Sequence, residues 1–166
     1  EKTELVTFVT TNKTLTDLHR FRVDLARHLM EQGICKVYGH GYESVNCKSD
    51  ILRKNMFCFA IENGIYSGYH TEKVMDCFVT GCVPIYIGDP DIGKHYDTKG
   101  MVIFNDVDDL KTRGVDFSVE LYKEMLPHVR NNYRIATEEY TPSFEKGVRM
   151  IYQDLLKDIT HNENCR

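Results

Sequence analysis

The chain has 166 residues, 42% hydrophobic and 28% charged, with 4 prolines and 11 glycines, a composition that predicts one globular domain with a real core and excludes a disordered or collagen-like chain. Its 21 Lys and Arg against 25 Asp and Glu give a formal net charge of -4, which argues against a surface built to neutralise nucleic-acid phosphates, although an anion could be held locally. The longest apolar run, near Val83 to Ile87, is far short of the roughly 20 residues that span a bilayer, and no basic-then-apolar leader opens the sequence, so no membrane segment is expected in these residues.

Leu5 to Thr10 is β-branched and apolar, which predicts a strand ending in the polar run Thr11 to Thr14. A helix follows over Leu18 to Met30, where Leu18, Phe21, Leu25 and Leu29 recur at three or four residues and Gly33 is placed to end it. Ile34 to Tyr38 reads as a short strand stopped by Gly39-His40-Gly41, and Tyr42 to Asn55 is less regular, with one helical turn around Ile51. Met56 to Ile61 is uniformly apolar, as suits a strand covered on both faces. Beyond a polar loop, Thr71 is an N-cap for a helix that packs through Val74, Cys77 and Phe78 and ends before Gly81. Cys82 to Ile87 is a further buried strand broken by Gly88-Asp89-Pro90; Met101 to Phe104 is another, and a short helix begins at Val107. Two longer helices fit Val119 to Tyr133 and Phe144 to Ile159.

Strand and helix thus alternate, the pattern of repeated βαβ units, and the fold class expected is α/β: a Rossmann-like, doubly wound parallel sheet with C-terminal helices, in one domain over 1–166. The six cysteines include no C-x-x-C pair. Cys58, Cys77 and Cys82 lie in apolar stretches, so buried thiols are expected rather than a disulfide framework or a zinc site, and the lean is towards a reducing compartment.

Ligands of open parallel sheets bind beyond the carboxyl ends of the strands, which singles out three loops: Thr10 to Asp17 leading to Arg20 and Arg22, Glu62 to Lys73, and Gly88 to Lys94. None carries G-x-G-x-x-G or a Walker A pattern. The middle loop, E-N-G-I-Y-S-G-Y-H-T-E-K, is the most unusual. The helix start after it favours an anion such as phosphate, and Lys73 adds a full charge there. Glu72 would repel phosphate and suits ribose or sugar hydroxyls. The same residues also fit a plainly capped surface helix, with Thr71 as cap and Glu72 on the dipole.

Phe59-Ala60-Ile61-Glu62-Asn63, then Tyr69-His70-Thr71-Glu72-Lys73, then Gly81-Cys82-Val83-Pro84-Ile85-Tyr86-Ile87-Gly88 together resemble the donor-binding signature of the α-1,3/4-fucosyltransferases, glycosyltransferase family 10. Val9-Thr10-Thr11-Asn12, Phe21-Arg22 with Leu29, Val37-Tyr38-Gly39 and the Met101 to Leu110 segment are similar to further landmarks, so the likeness covers residues 5 to 112. It implies the donor half of a two-Rossmann (GT-B) enzyme, with the acceptor-binding domain N-terminal to it and absent from these residues.

Carried over position by position, the resemblance implies that Arg22 and Lys73 pair with the diphosphate of GDP-fucose, Asn63 helps hold phosphate or sugar, Glu72 takes the ribose hydroxyls and Tyr69 lines the nucleotide pocket. Arg20 competes with Arg22 for its role, and Glu62 is a weaker candidate. A guanidinium fork and an ammonium can stabilise a leaving diphosphate, so neither a cofactor nor a metal is expected. The implied reaction is inverting transfer of fucose to a glycan hydroxyl, with the general base expected in the missing domain. Asp89, Asp91 and Glu62 stand at strand ends but read more simply as turn residues or anchors, and His70, at the variable position of Y-x-T-E-K, as a partly exposed spectator. Two other readings stand beside this one: a non-catalytic nucleotide-sugar-binding module, and an exostosin-like transferase using a UDP-sugar. A cytoplasmic enzyme of bacterial or viral type is favoured over a Golgi-lumen one carried by an anchor elsewhere.

Overall fold

The computed structural model describes residues 2–140; the helix expected over Phe144 to Ile159 lies outside them. The chain divides into two compact units, Glu1–Tyr133 and Arg134–Arg166, and the first holds the whole sheet.

Five strands, β1 (Glu4–Val9), β2 (Lys36–Tyr38), β3 (Asn55–Ile61), β4 (Val83–Ile87) and β5 (Val102–Ile103), form one sheet in the order β2-β1-β3-β4-β5. Every pairing is parallel. Parallel strands need long crossovers, and the helices α1 (Asp17–Glu31), α2 (Lys48–Lys54) and α3 (Glu72–Val79) supply the first three. Helices α4 (Val107–Arg113) and α5 (Val119–Arg134) follow β5. From β1 the chain steps outward to β2, then returns past β1 to β3 and on to β4 and β5. Right-handed crossovers taken in opposite directions place α1 on one face of the sheet and α2 and α3 on the other. The sheet is doubly wound, as the alternation of elements predicts.

Packing agrees with that topology. Phe8, Phe57, Phe59, Ile61, Val83, Ile85 and Ile87 share a buried cluster with Ala26 and Leu29 of α1 and Tyr122, Met125 and Val129 of α5. Strand side chains alternate, so Cys58, Ala60, Pro84 and Tyr86 face the other way, towards the layer of α2 and α3, where Leu52, Val74, Cys77 and Phe78 are buried. With both faces covered, β3 and β4 show no polar alternation at all. Cys58, Cys77 and Cys82 are buried free thiols, whereas Cys47 is exposed and Cys35 half-buried. No helix among the described residues is long and apolar enough to cross a membrane.

Candidate functional site

Between β1 and β3 the chain order reverses, and this switch point is where an open α/β sheet leaves a crevice beyond its strand ends. A cleft of about 250 Å³ lies there, lined by Thr10 and Thr11 after β1, Arg22 of α1, Lys48 of α2, and Glu72 and Lys73 of α3. Its floor can approach the backbone closely because Gly39, with φ +118, packs against Thr10; a Cβ there would fall 2.1 Å from the Thr10 carbonyl oxygen.

Arg22 is buried, at 4% exposure. Its Nη1 donates to the Ile61 carbonyl and to Oδ1 of Asn63, each at 2.8 Å. Both acceptors are neutral. Nε is buried with no hydrogen-bond partner, and no carboxylate pairs with this guanidinium among the described residues. Burial pulls the Arg22 pKa down from its ordinary value while the Glu62 charge opposes that; an arginine still remains ionised. A buried cation whose contacts are all neutral is an unusual expense in a fold, and an anion in the cleft would compensate it. Arg20, by contrast, is exposed and ion-paired with Asp17 on the outer side of α1. The structure brings Arg22 into the cleft and leaves Arg20 on the surface.

Asn63 is fixed from two sides: its Nδ2 donates to the Tyr69 hydroxyl at 3.4 Å, and its carbonyl accepts from Oγ1 of Thr16, the α1 cap, at 2.9 Å. Thr16 also contacts Nδ1 of His19 at 2.7 Å. The start of α1 and the end of β3 are thereby tied together, and Arg22, Asn63 and Tyr69 form one hydrogen-bonded row.

Across the cleft, Glu62 has no exposed surface. Its carboxylate accepts from the Thr71 backbone N–H at 2.8 Å, from the Thr71 hydroxyl at 2.8 and 3.0 Å, and from Nζ of Lys73 at 3.0 Å. Strand alternation explains this: Glu62 follows Ile61 and points to the α3 face, straight at the start of that helix. The sequence makes Glu62 a weak ligand candidate; the structure makes it the anchor that positions Lys73. Lys73, whose side chain is 22% exposed, borders the cleft with its ammonium held between Glu62 and the Thr71 hydroxyl. Glu72 is exposed, its carboxylate 3.8 Å from Nζ of Lys73. Partial desolvation opposes its ionisation, but Lys73 and the hydrogen bonds of the helix start outweigh that and hold the carboxyl below its ordinary range. Thr71 caps α3 as expected, so the capped-helix and ligand-facing readings describe the same residues.

Lys48, which sequence reasoning missed, brings a third cation to the cleft; its Nζ lies 2.8 Å from Asp76 of α3. The irregular stretch before it carries no periodic signal, so nothing local could have announced it. His70 is partly exposed, as expected, and it also has a protein partner. Its side chain is 12% exposed and its Nδ1 lies 3.3 Å from Oδ2 of the buried Asp89. Asp89 in turn accepts from the backbone N–H groups of Gly68 and Asp91 at 2.9 and 2.8 Å, and Asp91 pairs with Ser67 and with Lys94 at 3.0 Å. Asp89, Asp91 and Glu62 are therefore anchors, in keeping with the turn reading, and the third loop serves to brace the second.

Fold and site together define a Rossmann-like sheet of the kind that forms one half of a GT-B glycosyltransferase. The chain belongs to glycosyltransferase family 10, the fucosyltransferases, matching that family's C-terminal model over residues 1–114. It is 30% identical over 115 residues to the alpha-(1,3)-fucosyltransferase FucT of Helicobacter pylori, an alignment covering 69% of this chain and 23% of that protein. A solved alpha1,3-fucosyltransferase with GDP-fucose superposes with a TM-score of 0.58 at 26% identity, covering 75% of this chain and 38% of the other. One with GDP gives 0.57 at 24% identity over the same shares and is similar in fold. The chain thus spans about a quarter of the curated relative's length.

Proposed function

We propose that this chain holds the donor, GDP-fucose, of an inverting fucosyltransferase of α-1,3 type. The observation that carries the reading is Arg22: a buried guanidinium without a carboxylate partner, at the switch-point cleft, with Lys73 and Lys48 nearby. In this reading Arg22 directs its fork at the diphosphate oxygens and Lys73 stands by them as a compact charge. Both stabilise negative charge that grows as the C–O bond to fucose breaks, which is where electrostatic preorganisation acts. Glu72, exposed beside Lys73, accepts from the ribose hydroxyls; Tyr69 lines the nucleotide pocket and Asn63 orients Arg22 while reaching towards phosphate or sugar. No cofactor or metal enters this chemistry, since the two cations supply the charge.

Inversion needs a base to take the acceptor's proton as its oxygen attacks the anomeric carbon. Among the described residues the acidic groups near the strand ends are already engaged as backbone and cation anchors. The base and the glycan acceptor are accordingly assigned to an N-terminal acceptor-binding domain of the whole enzyme. The relative solved with GDP-fucose supports the choice of donor. Calorimetry with GDP and UDP tests it: tighter binding of GDP is expected, and equal affinity for the two would overturn the reading.

A further inference from the structure

Outside the lining of the cleft, three side chains from separate parts of the sequence converge: His70 in the loop before α3, Asp89 in the turn after β4, and His95 at the end of the 3-10 turn Ile92–Lys94. Each offers one ligand atom, and the three atoms all lie within 4.8 Å of one another. Nδ1 of His70 and Oδ2 of Asp89 are already 3.3 Å apart, about the edge of a tetrahedron with metal–ligand bonds of roughly 2.0–2.1 Å. The two imidazole rings lie 4.7 Å apart by their centroids, inclined at 48°. Asp89 has no exposed side-chain surface, and its other oxygen is fixed by the N–H groups of Gly68 and Asp91, the outer-shell support that orients a ligating carboxylate. His95 is half-buried, and its ligand nitrogen lies within 4.8 Å of the ligand atoms of the other two residues.

We propose that His70, Asp89 and His95 form a binding site for a divalent transition-metal ion of the zinc class. Two imidazoles and one carboxylate favour such an ion over magnesium or calcium, which prefer all-oxygen sets, and three protein ligands leave a position for water. The ion would staple the loop that carries Tyr69 and leads into Glu72 and Lys73 of α3 to the turn after β4. It is a staple and not a participant in transfer, so its presence or absence stands apart from the donor reading.

Cobalt(II), a spectroscopic stand-in for zinc, is titrated into the full chain carrying Cys47→Ser and Cys165→Ser, so that those two thiols do not compete. One ion per chain is expected, with d–d bands of nitrogen and oxygen ligation. His70→Ala and His95→Ala, checked for folding by circular dichroism, should each weaken binding roughly tenfold or more, while His28→Ala, on the exposed side of α1, leaves it unchanged. Unchanged affinity in either cluster variant, or a spectrum of thiolate ligation alone, overturns the site. Should the variants not fold, carbethoxylation of the otherwise unchanged chain decides: zinc should shield His70 and His95 and not His28, and equal labelling with and without zinc refutes the proposal.

Discussion

Arg20 and Arg22 are two residues apart on α1, about 200° around its axis, and that rotation sends one to solvent beside Asp17 and the other beneath the end of β3. An arginine with neutral partners differs from one in an ion pair in what its loss does to an anion. Arg22→Lys keeps a charge but loses the planar fork, and GDP binding by calorimetry should weaken about 10- to 100-fold, the worth of one or two charge-assisted hydrogen bonds. Arg20→Ala should leave it within about twofold, as expected for an exposed pair. The cysteines separate in the same way. Hydrogen bonds from Ser49 lower the exposed Cys47 thiol. Burial pushes Cys35 up to about 12; the contact with Cys77 and burial raise Cys58 well above the ordinary thiol value, and Cys77 is raised too, because the contact with Cys58 lowers it but the contact with Cys82 and burial outweigh that. Limited alkylation near neutral pH, followed by peptide mass spectrometry, should mark Cys47 first among the described cysteines, because the thiolate is the reactive form.

At the scale of elements, the junction of β3 and α3 is held by one buried carboxylate serving a backbone N–H, a hydroxyl and an ammonium. Glu62→Gln would leave the Lys73 charge without its nearer and buried carboxylate and should cost roughly 2–3 kcal/mol in urea unfolding, below the full value for a buried pair because Lys73 is partly exposed and keeps Glu72 at 3.8 Å. Thr71→Ala removes both a helix cap and a donor to Glu62, and a loss of about 1–2 kcal/mol is expected in the same assay. Gly88→Ala should be at least as harmful, since a Cβ there falls 2.5 Å from the Tyr86 hydroxyl and 2.7 Å from Cγ of Glu62. These elements were largely legible in advance. The apolar runs of β3 and β4 and the spacing along α1 and α5 report burial directly, and α5 runs through Pro127 because Tyr122, Met125 and Val129 anchor it. Edges were less legible: β5 is only Val102–Ile103, and α2 extends over Lys48–Lys54 where one turn was expected. Short segments carry too few residues for a period to show.

For the whole molecule, the order β2-β1-β3-β4-β5 places the loops after β1 and β3 side by side, and that adjacency makes one cleft from residues as distant in sequence as Arg22 and Lys73. If the cleft binds the donor and the base lies in another domain, these 166 residues bind GDP yet transfer no fucose. Robust turnover of GDP-fucose onto a glycan acceptor by this chain alone, measured as release of GDP, would contradict that division of labour. The residue types and their spacing determined the α/β class, the family, and the short set from which a diphosphate site could be drawn, because apolar periodicity and motif order are local properties of the chain. Only the tertiary structure decided among them: that Arg22 and not Arg20 enters the cleft, that Glu62 braces Lys73, that Lys48 joins them and that His70 meets Asp89 and His95. Those choices depend on which face each strand end presents and on where the winding reverses, and both are fixed by packing between segments far apart in sequence.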